Sequence, residues 1–193
     1  MARMRLTRSE SAALTRSELL EAAERRFFSD GYHGTTLEAI AEEAGFSKGA
    51  VYSAFDSKAD LFMALFDTIV DQRLEAIATL FADHPMGGSR ISTLADRPVE
   101  DRDQQFFLLA MEFLLHAGRD PKLLAQFASH YRRMSAGLAE LATEATPLGA
   151  DSWAIVTLAL ANGLALERLI DPDRVPTDLF ANAQRLLYPP RRD

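Results

Sequence analysis

Lys48 and Tyr52 stand four residues apart, so on a helix they lie one above the other on a single face. An ammonium and a phenol hydroxyl placed this way are donors suited to phosphate oxygens and to the acceptor edges of bases. Gly49, Ala50 and Ser53 beside them are small, which permits a close approach of the helix. Gly49 and Ala50 can touch a thymine methyl, and Ser53 can donate to a phosphate or a base edge. Val51 and Phe55, also four apart, fall on the opposite face, where with Ile40 they can clamp this helix to the one before it. Gly45 sits between the two helices, where a tight turn calls for a left-handed backbone. Ser47 can cap the second helix, and Thr36 opens the first, with Thr35 as its cap. Lys58 begins the next helix, where its charge and the helix N-terminal amides both attract a phosphate.

A second group lies farther along. Between Phe106 and Ala117 the only polar residues are Glu112 and His116, four apart on an otherwise apolar helix. An acid and an imidazole in such a run need partners. Either they satisfy each other, or Arg132 or Arg133 does so, or they line a small-molecule cavity together with Met111, Phe127, Tyr131 and Trp153. The sequence leaves these readings open.

The elements that must position both groups are helical almost throughout. Leu19, Leu20, Ala23 and Phe27 mark a helix over residues 15–29, with Thr15 and Glu18 as a capping box and Gly31 as its stop. Short helices follow over 37–44 and 48–55. Ser57 and Asp60 then open a long helix through Leu61, Leu65, Ile69, Ile77 and Phe81. His84 to Arg102, broken by Pro85, Gly87, Gly88 and Pro98, reads as a long connection. Helices resume over 103–116, after Asp120-Pro121, over 153–170 and over 177–187. The fold class is all-α. The expected division is a basic arm over 1–14, a DNA-binding unit over 15–60 and a larger helical unit over 61–193.

Composition narrows the function. The net charge of −7 is unevenly placed: residues 1–16 carry +3, whereas residues 61–193 carry −5. A nucleic-acid contact therefore belongs at the N-terminal end. The chain has no cysteine, which removes disulfides and thiolate chemistry. No H-E-x-x-H, phosphate-binding glycine loop or G-x-S-x-G is present, and His33, His84, His116 and His130 lack metal-ligand spacing. Neither an enzyme nor a metal or cofactor protein is expected. With no signal-type leader and no uninterrupted apolar stretch near the roughly 20 residues that cross a bilayer, a cytoplasmic protein with no membrane partner is expected.

The stretch Thr15 to Leu61 resembles the DNA-binding domain of the TetR family. The resemblance is carried by Thr15-Arg16, Ala23, Phe27, Gly31-Tyr32, Thr36, Ile40-Ala41, Ala44-Gly45, Ser47-Lys48-Gly49, Val51-Tyr52, Phe55 and Lys58. It implies a helix-turn-helix in which Arg16, Thr36, Ser47, Lys48, Gly49, Ala50, Tyr52, Ser53 and Lys58 meet double-stranded DNA. It also implies a regulatory domain that dimerises through its last two long helices, placing Leu160, Gly163, Leu164, Glu167, Phe180, Ala183 and Leu187 at the contact. Phe46, and the small pair Ser53-Ala54, depart from the family pattern, so base readout is expected to lean on DNA shape and on the arginine arm. The function implied is a homodimeric repressor released from a palindromic operator by an apolar or amphipathic small molecule. The alternative is a regulator without such a ligand, governed by a protein partner or by its own level.

Overall fold

The computed structural model describes residues 7–82, 101–141, 148–176 and 178–187. The described residues form helices and no strand. They divide into two compact units, one made of residues up to Thr68 together with Leu108–Leu124, the other of Ile69–Phe107 and the residues from Ala125 onward.

In the first unit, α1 (Arg8–Gly34) starts earlier than its sequence pattern implies. Its cap is Thr7, whose Oγ1 accepts from the Glu10 amide while the Glu10 carboxylate accepts from the Thr7 amide. The T-x-x-E pattern occurs both at Thr7 and at Thr15, and either can open a helix. Local chemistry could not rank them; the earlier one is used, and Arg8 to Leu14 are helical rather than part of an arm. Residues 1–6, the remainder of the expected arm, lie outside the described residues.

α1 loses helical geometry at Gly31, whose φ of 72° and ψ of 174° suit a residue without Cβ. α2 (Leu37–Glu43) is capped by Thr36, whose hydroxyl accepts from the Ala39 amide at 3.1 Å. Thr35, the expected cap, is buried instead and donates to the carbonyls of Gly31 and Arg26. Gly45, at φ 74°, turns the chain into α3 (Lys48–Ala54), which Ser47 caps. α4 (Lys58–Ala82) opens on reciprocal hydrogen bonds between Ser57 and Asp60.

An aromatic cluster knits the unit together. Phe62 stacks on Phe113 at 4.0 Å between centroids, and Tyr32 meets Phe27, Phe62 and Phe113 at 5.0–5.8 Å. Phe113 belongs to α5 (Asp101–Ala117), so the N-terminal unit reaches beyond the expected limit at residue 60. Truncating Phe62 or Phe113, both fully buried, would cost about 3–5 kcal/mol.

The second unit holds most of α6 (Pro121–Leu141), α7 (Ala150–Ile170), a single 3₁₀ turn at Pro172–Arg174 and α8 (Leu179–Leu187). Asp120 caps α6 through its carboxylate, as its position before Pro121 implies. Leu138, Ala139, Trp153 and Ala154 form a core into which Leu74 and Leu158 pack. By length and composition alone α7 would reach across a bilayer, contrary to the sequence expectation that no stretch does. In the fold one face of α7 buries Trp153, Ala154 and Thr157. Another face leaves Ile155, Leu166 and Ile170 exposed. The expected connection over 84–102 lies almost wholly outside the described residues.

Candidate functional site

α3 divides its two faces cleanly. Val51 is fully buried, Phe55 just beyond the helix is nearly so, and Ile40 of α2 is buried against them. Opposite, Lys48, Gly49, Tyr52 and Ser53 are exposed, with Tyr52 at 46%. A seven-residue helix has little intrinsic stability and stays in place only because its apolar side is clamped. Its end is held as well. Arg16, reaching from α1, donates to the Ala54 carbonyl at 2.7 Å and lies over the Phe55 ring at 4.1 Å. A cation at a helix C-terminus also suits the partial negative charge there.

The outward donors are tied to a residue that the sequence reading did not place at the site. Glu38, on α2, accepts an ion pair from Lys48 Nζ at 2.5 Å and a hydrogen bond from the Tyr52 hydroxyl at 3.1 Å. The Lys48 ammonium holds the Glu38 carboxyl below the ordinary range, and Glu38 raises Lys48 in turn. Glu38 is ten residues from Lys48 in the chain, so only the turn of the α2–α3 pair brings them together.

Lys58 was expected to face a phosphate. It is partly buried and donates to the carbonyls of Tyr32 and Thr35 at 2.7 and 2.9 Å, with its ammonium over the Tyr32 ring. Burial lowers its pKa. In this arrangement Lys58 fastens the end of α1 to the start of α4. Tyr32, buried and near Asp60, has its phenol pushed up to about 12.

Glu112 and His116 belong to this same N-terminal unit. Glu112 Oε2 accepts from the Tyr32 amide at 2.7 Å, and its carboxylate lies 2.9 Å from where a side chain on Gly31 would begin. His116 packs on the rings of Tyr32 and His33 at 5.2 and 5.3 Å. Glu112 therefore satisfies the broken end of α1, a partner not among those the sequence reading named, and His116 packs beside it. Met111 is also assigned to the first unit, whereas Phe127, Tyr131 and Trp153 fall in the second.

The second unit contains a cavity of about 270 Å³. Val70, Leu74, Phe107, Met134, Leu138 and Leu158 provide much of its apolar wall, and Arg73, Asp103, Asn162 and Arg168 are among its polar members. Tyr131 touches this lining indirectly, accepting from Asn162 at 3.2 Å, and Trp153 packs behind Leu138 and Leu158. Leu164 and Phe180, expected at a dimer contact, line the cavity. Gly163 and Glu167 are exposed, Leu160 and Ala183 half-buried, and the side chain of Leu187 lies outside the described residues. Among the described residues nothing stands within 4 Å of a Cβ built on Gly163.

Two short helices joined at Gly45, the second clamped on one side and presenting donors on the other, form a helix-turn-helix, which marks a DNA-binding transcriptional regulator. The family of bacterial regulatory proteins, tetR family, matches residues 19–65, and the tetracyclin repressor-like C-terminal domain matches residues 89–188, more than half the chain. The chain belongs to the TetR family, whose members are DNA-binding regulators and not enzymes. It is similar to the HTH-type transcriptional regulator TtgR of Pseudomonas putida, 29% identical over 181 residues that cover 92% of this chain and 80% of that protein. The HTH-type transcriptional repressor BepR of Brucella suis is 28% identical over 86% of this chain and 85% of its own length. Among solved structures, a transcriptional regulator from Saccharomonospora viridis in complex with choline shares the fold, with a TM-score of 0.68 at 19% identity over 90% of this chain and 94% of that one.

Proposed function

We propose that this regulator is a homodimeric repressor that leaves a palindromic operator when a small molecule fills the cavity of the second unit. The cavity is the observation that carries the reading. A volume near the lower end of ordinary ligand pockets, roughly 300–1,000 Å³, with a largely apolar wall and few polar groups, fits a small amphipathic effector. The named repressor BepR and the choline complex of the Saccharomonospora regulator support the same reading by likeness. In this reading Lys48, Gly49, Ala50, Tyr52 and Ser53 meet the major groove, Thr36 and Ser47 approach phosphates, and Arg16 keeps α3 seated.

The dimer follows from α7. Ile155, Ala159, Gly163, Leu166 and Ile170 recur at steps of four, four, three and four and are all exposed, with Ile170 at 72%. Leu186 on α8 is exposed at 83%. A second copy covering these apolar residues would bury them, and small residues mid-stripe let two helices approach closely. Two reading helices at a fixed separation then match two half-sites.

Helix α4 runs through both units: Lys58 at its start holds the Tyr32 and Thr35 carbonyls of the first, and Val70, Arg73, Leu74 and Ile77 line the cavity of the second. A ligand that prefers one setting of those four residues biases the equilibrium of the DNA-binding form, and operator DNA must weaken ligand binding by the same factor. The test is to select operators from random DNA with the full chain, then titrate a panel of small apolar and amphipathic compounds against the complex. Release of operator by a compound that also perturbs the emission of Trp153, the sole tryptophan, is expected. Saturation of the cavity by several compounds with no change in operator affinity would refute ligand control.

A further inference from the structure

The geometry points to an apolar acid as the effector: a molecule whose hydrocarbon or aromatic body fills the cavity and whose carboxylate meets Arg168. This rests on the effector-cavity reading above and names the chemistry of the ligand. The charged residues among the described lining are Arg73, Asp103 and Arg168, two cations against one anion. Arg73 and Asp103 cancel each other, joined at 2.7 Å with the Arg73 guanidinium lying over the Phe106 ring at 4.3 Å. For Asp103 to hold a cationic ligand it would have to surrender Arg73, leaving a partly buried guanidinium with less compensation.

Arg168 is placed differently. It is half-buried on the last turn of α7, and Nη2 donates to the carbonyls of Val175 and Pro176 at 3.4 and 3.3 Å. Both distances exceed the ordinary N–H···O range. It forms no ion pair among the described residues. A guanidinium has five N–H donors in a planar fork that matches a carboxylate, and these contacts use one nitrogen. Two of the three neutral polar lining residues, Gln104, Thr157 and Asn162, have partners outside the lining: Asn162 donates to Tyr131, and Thr157 accepts from Gln184 at 3.3 Å. Arg168 is thus the polar group in this wall with the most unspent donor capacity, and it carries a charge without a matching anion. The small volume limits the body to an aromatic or medium-chain size.

The test uses three probes of one skeleton, phenylbutyrate, phenylbutanol and phenylbutylamine, titrated into the full-length protein by calorimetry with Trp153 emission as a second signal. The acid should bind about tenfold or more tighter than the alcohol, as a charge-assisted hydrogen bond requires, with the amine weakest. Arg168→Gln keeps a donor for the Val175 and Pro176 carbonyls but removes the charge. It should bring the acid down to the level of the alcohol while the alcohol stays within about twofold of its wild-type affinity. Ala161→Phe, which fills the cavity from its wall, should abolish all three. Equal binding of acid and alcohol, or tightest binding of the amine, overturns the acid assignment while leaving the cavity reading intact. Loss of acid and alcohol alike in Arg168→Gln shows a clamp rather than an anchor and overturns it too. Binding that survives Ala161→Phe, or no binding by any probe, removes the cavity reading and this inference with it.

Discussion

Polar contacts within the chain hold the helix-turn-helix in place, whereas the second unit surrounds a largely apolar cavity. Around the helix-turn-helix, caps, carbonyls and charges have partners: Thr36 and Ser47 serve amides, Arg16 serves Ala54, Lys58 serves Tyr32 and Thr35, and Glu112 serves the amide freed at Gly31. The second unit contains a cavity, and an apolar stripe faces outward. A reading head must hold donors at fixed positions before DNA arrives, since disorder there would be paid for in affinity. A receptor must instead retain surface whose burial is still to come.

The comparison breaks first at the stripe. Gly163 is exposed and a Cβ there meets nothing within 4 Å among the described residues, so Gly163→Leu should leave the protomer folded. A partner helix seated there would be displaced, sedimentation should show monomer, and operator affinity should fall by about a hundredfold with the loss of bivalent binding. A variant that remains dimeric with full affinity moves the interface off this face.

Next is the claim that Glu112 completes the first unit. Glu112→Ala leaves the partly buried Tyr32 amide without its acceptor and should lower unfolding stability by about 2 kcal/mol, measured in urea. Response to effectors should persist. A stable variant that no longer responds would return Glu112 to a ligand site. Lys58→Met should likewise cost about 1 kcal/mol through the lost carbonyl contacts, and a purely DNA-binding defect would show that its ammonium turns outward.

The reading face itself is tested by Lys48→Ala, which should weaken operator binding about tenfold and alter preference among operator variants if Lys48 reads a base. The smallest effect belongs to Glu38. Glu38 engages both Lys48 and Tyr52, so the proposed contact of those two with DNA requires Glu38 to yield them. Glu38→Gln should therefore raise affinity for random DNA by about threefold, consistent with the modest worth of an exposed ion pair. The gain should vanish in the Lys48→Ala background. Unchanged random-DNA affinity in Glu38→Gln would show that the ion pair does not restrain Lys48.

Periodicity and capping made most helices legible, because a helix is chosen within one or two turns of its own sequence. Lys48 and Tyr52 outward with Val51 and Phe55 inward, the Gly45 turn, the Ser57–Asp60 opening of α4 and the Asp120 cap of α6 are all local patterns. Where two local patterns competed, sequence could not rank them, as Thr7 against Thr15 and Thr35 against Thr36 show. Partners distant in the chain were beyond its reach. Glu112 meets the Tyr32 amide eighty residues away, and Lys58 turns to carbonyls more than twenty residues back. The cavity draws Arg73, Asp103 and Arg168 from three helices, and no spacing marks them as neighbours. The sequence by itself determined that the chain is helical and which face of α3 carries donors, since both depend on i, i+3 and i+4 geometry. Only the tertiary structure decided which polar groups are already satisfied, and hence which remain to meet a ligand, because satisfaction depends on distance in space and not along the chain.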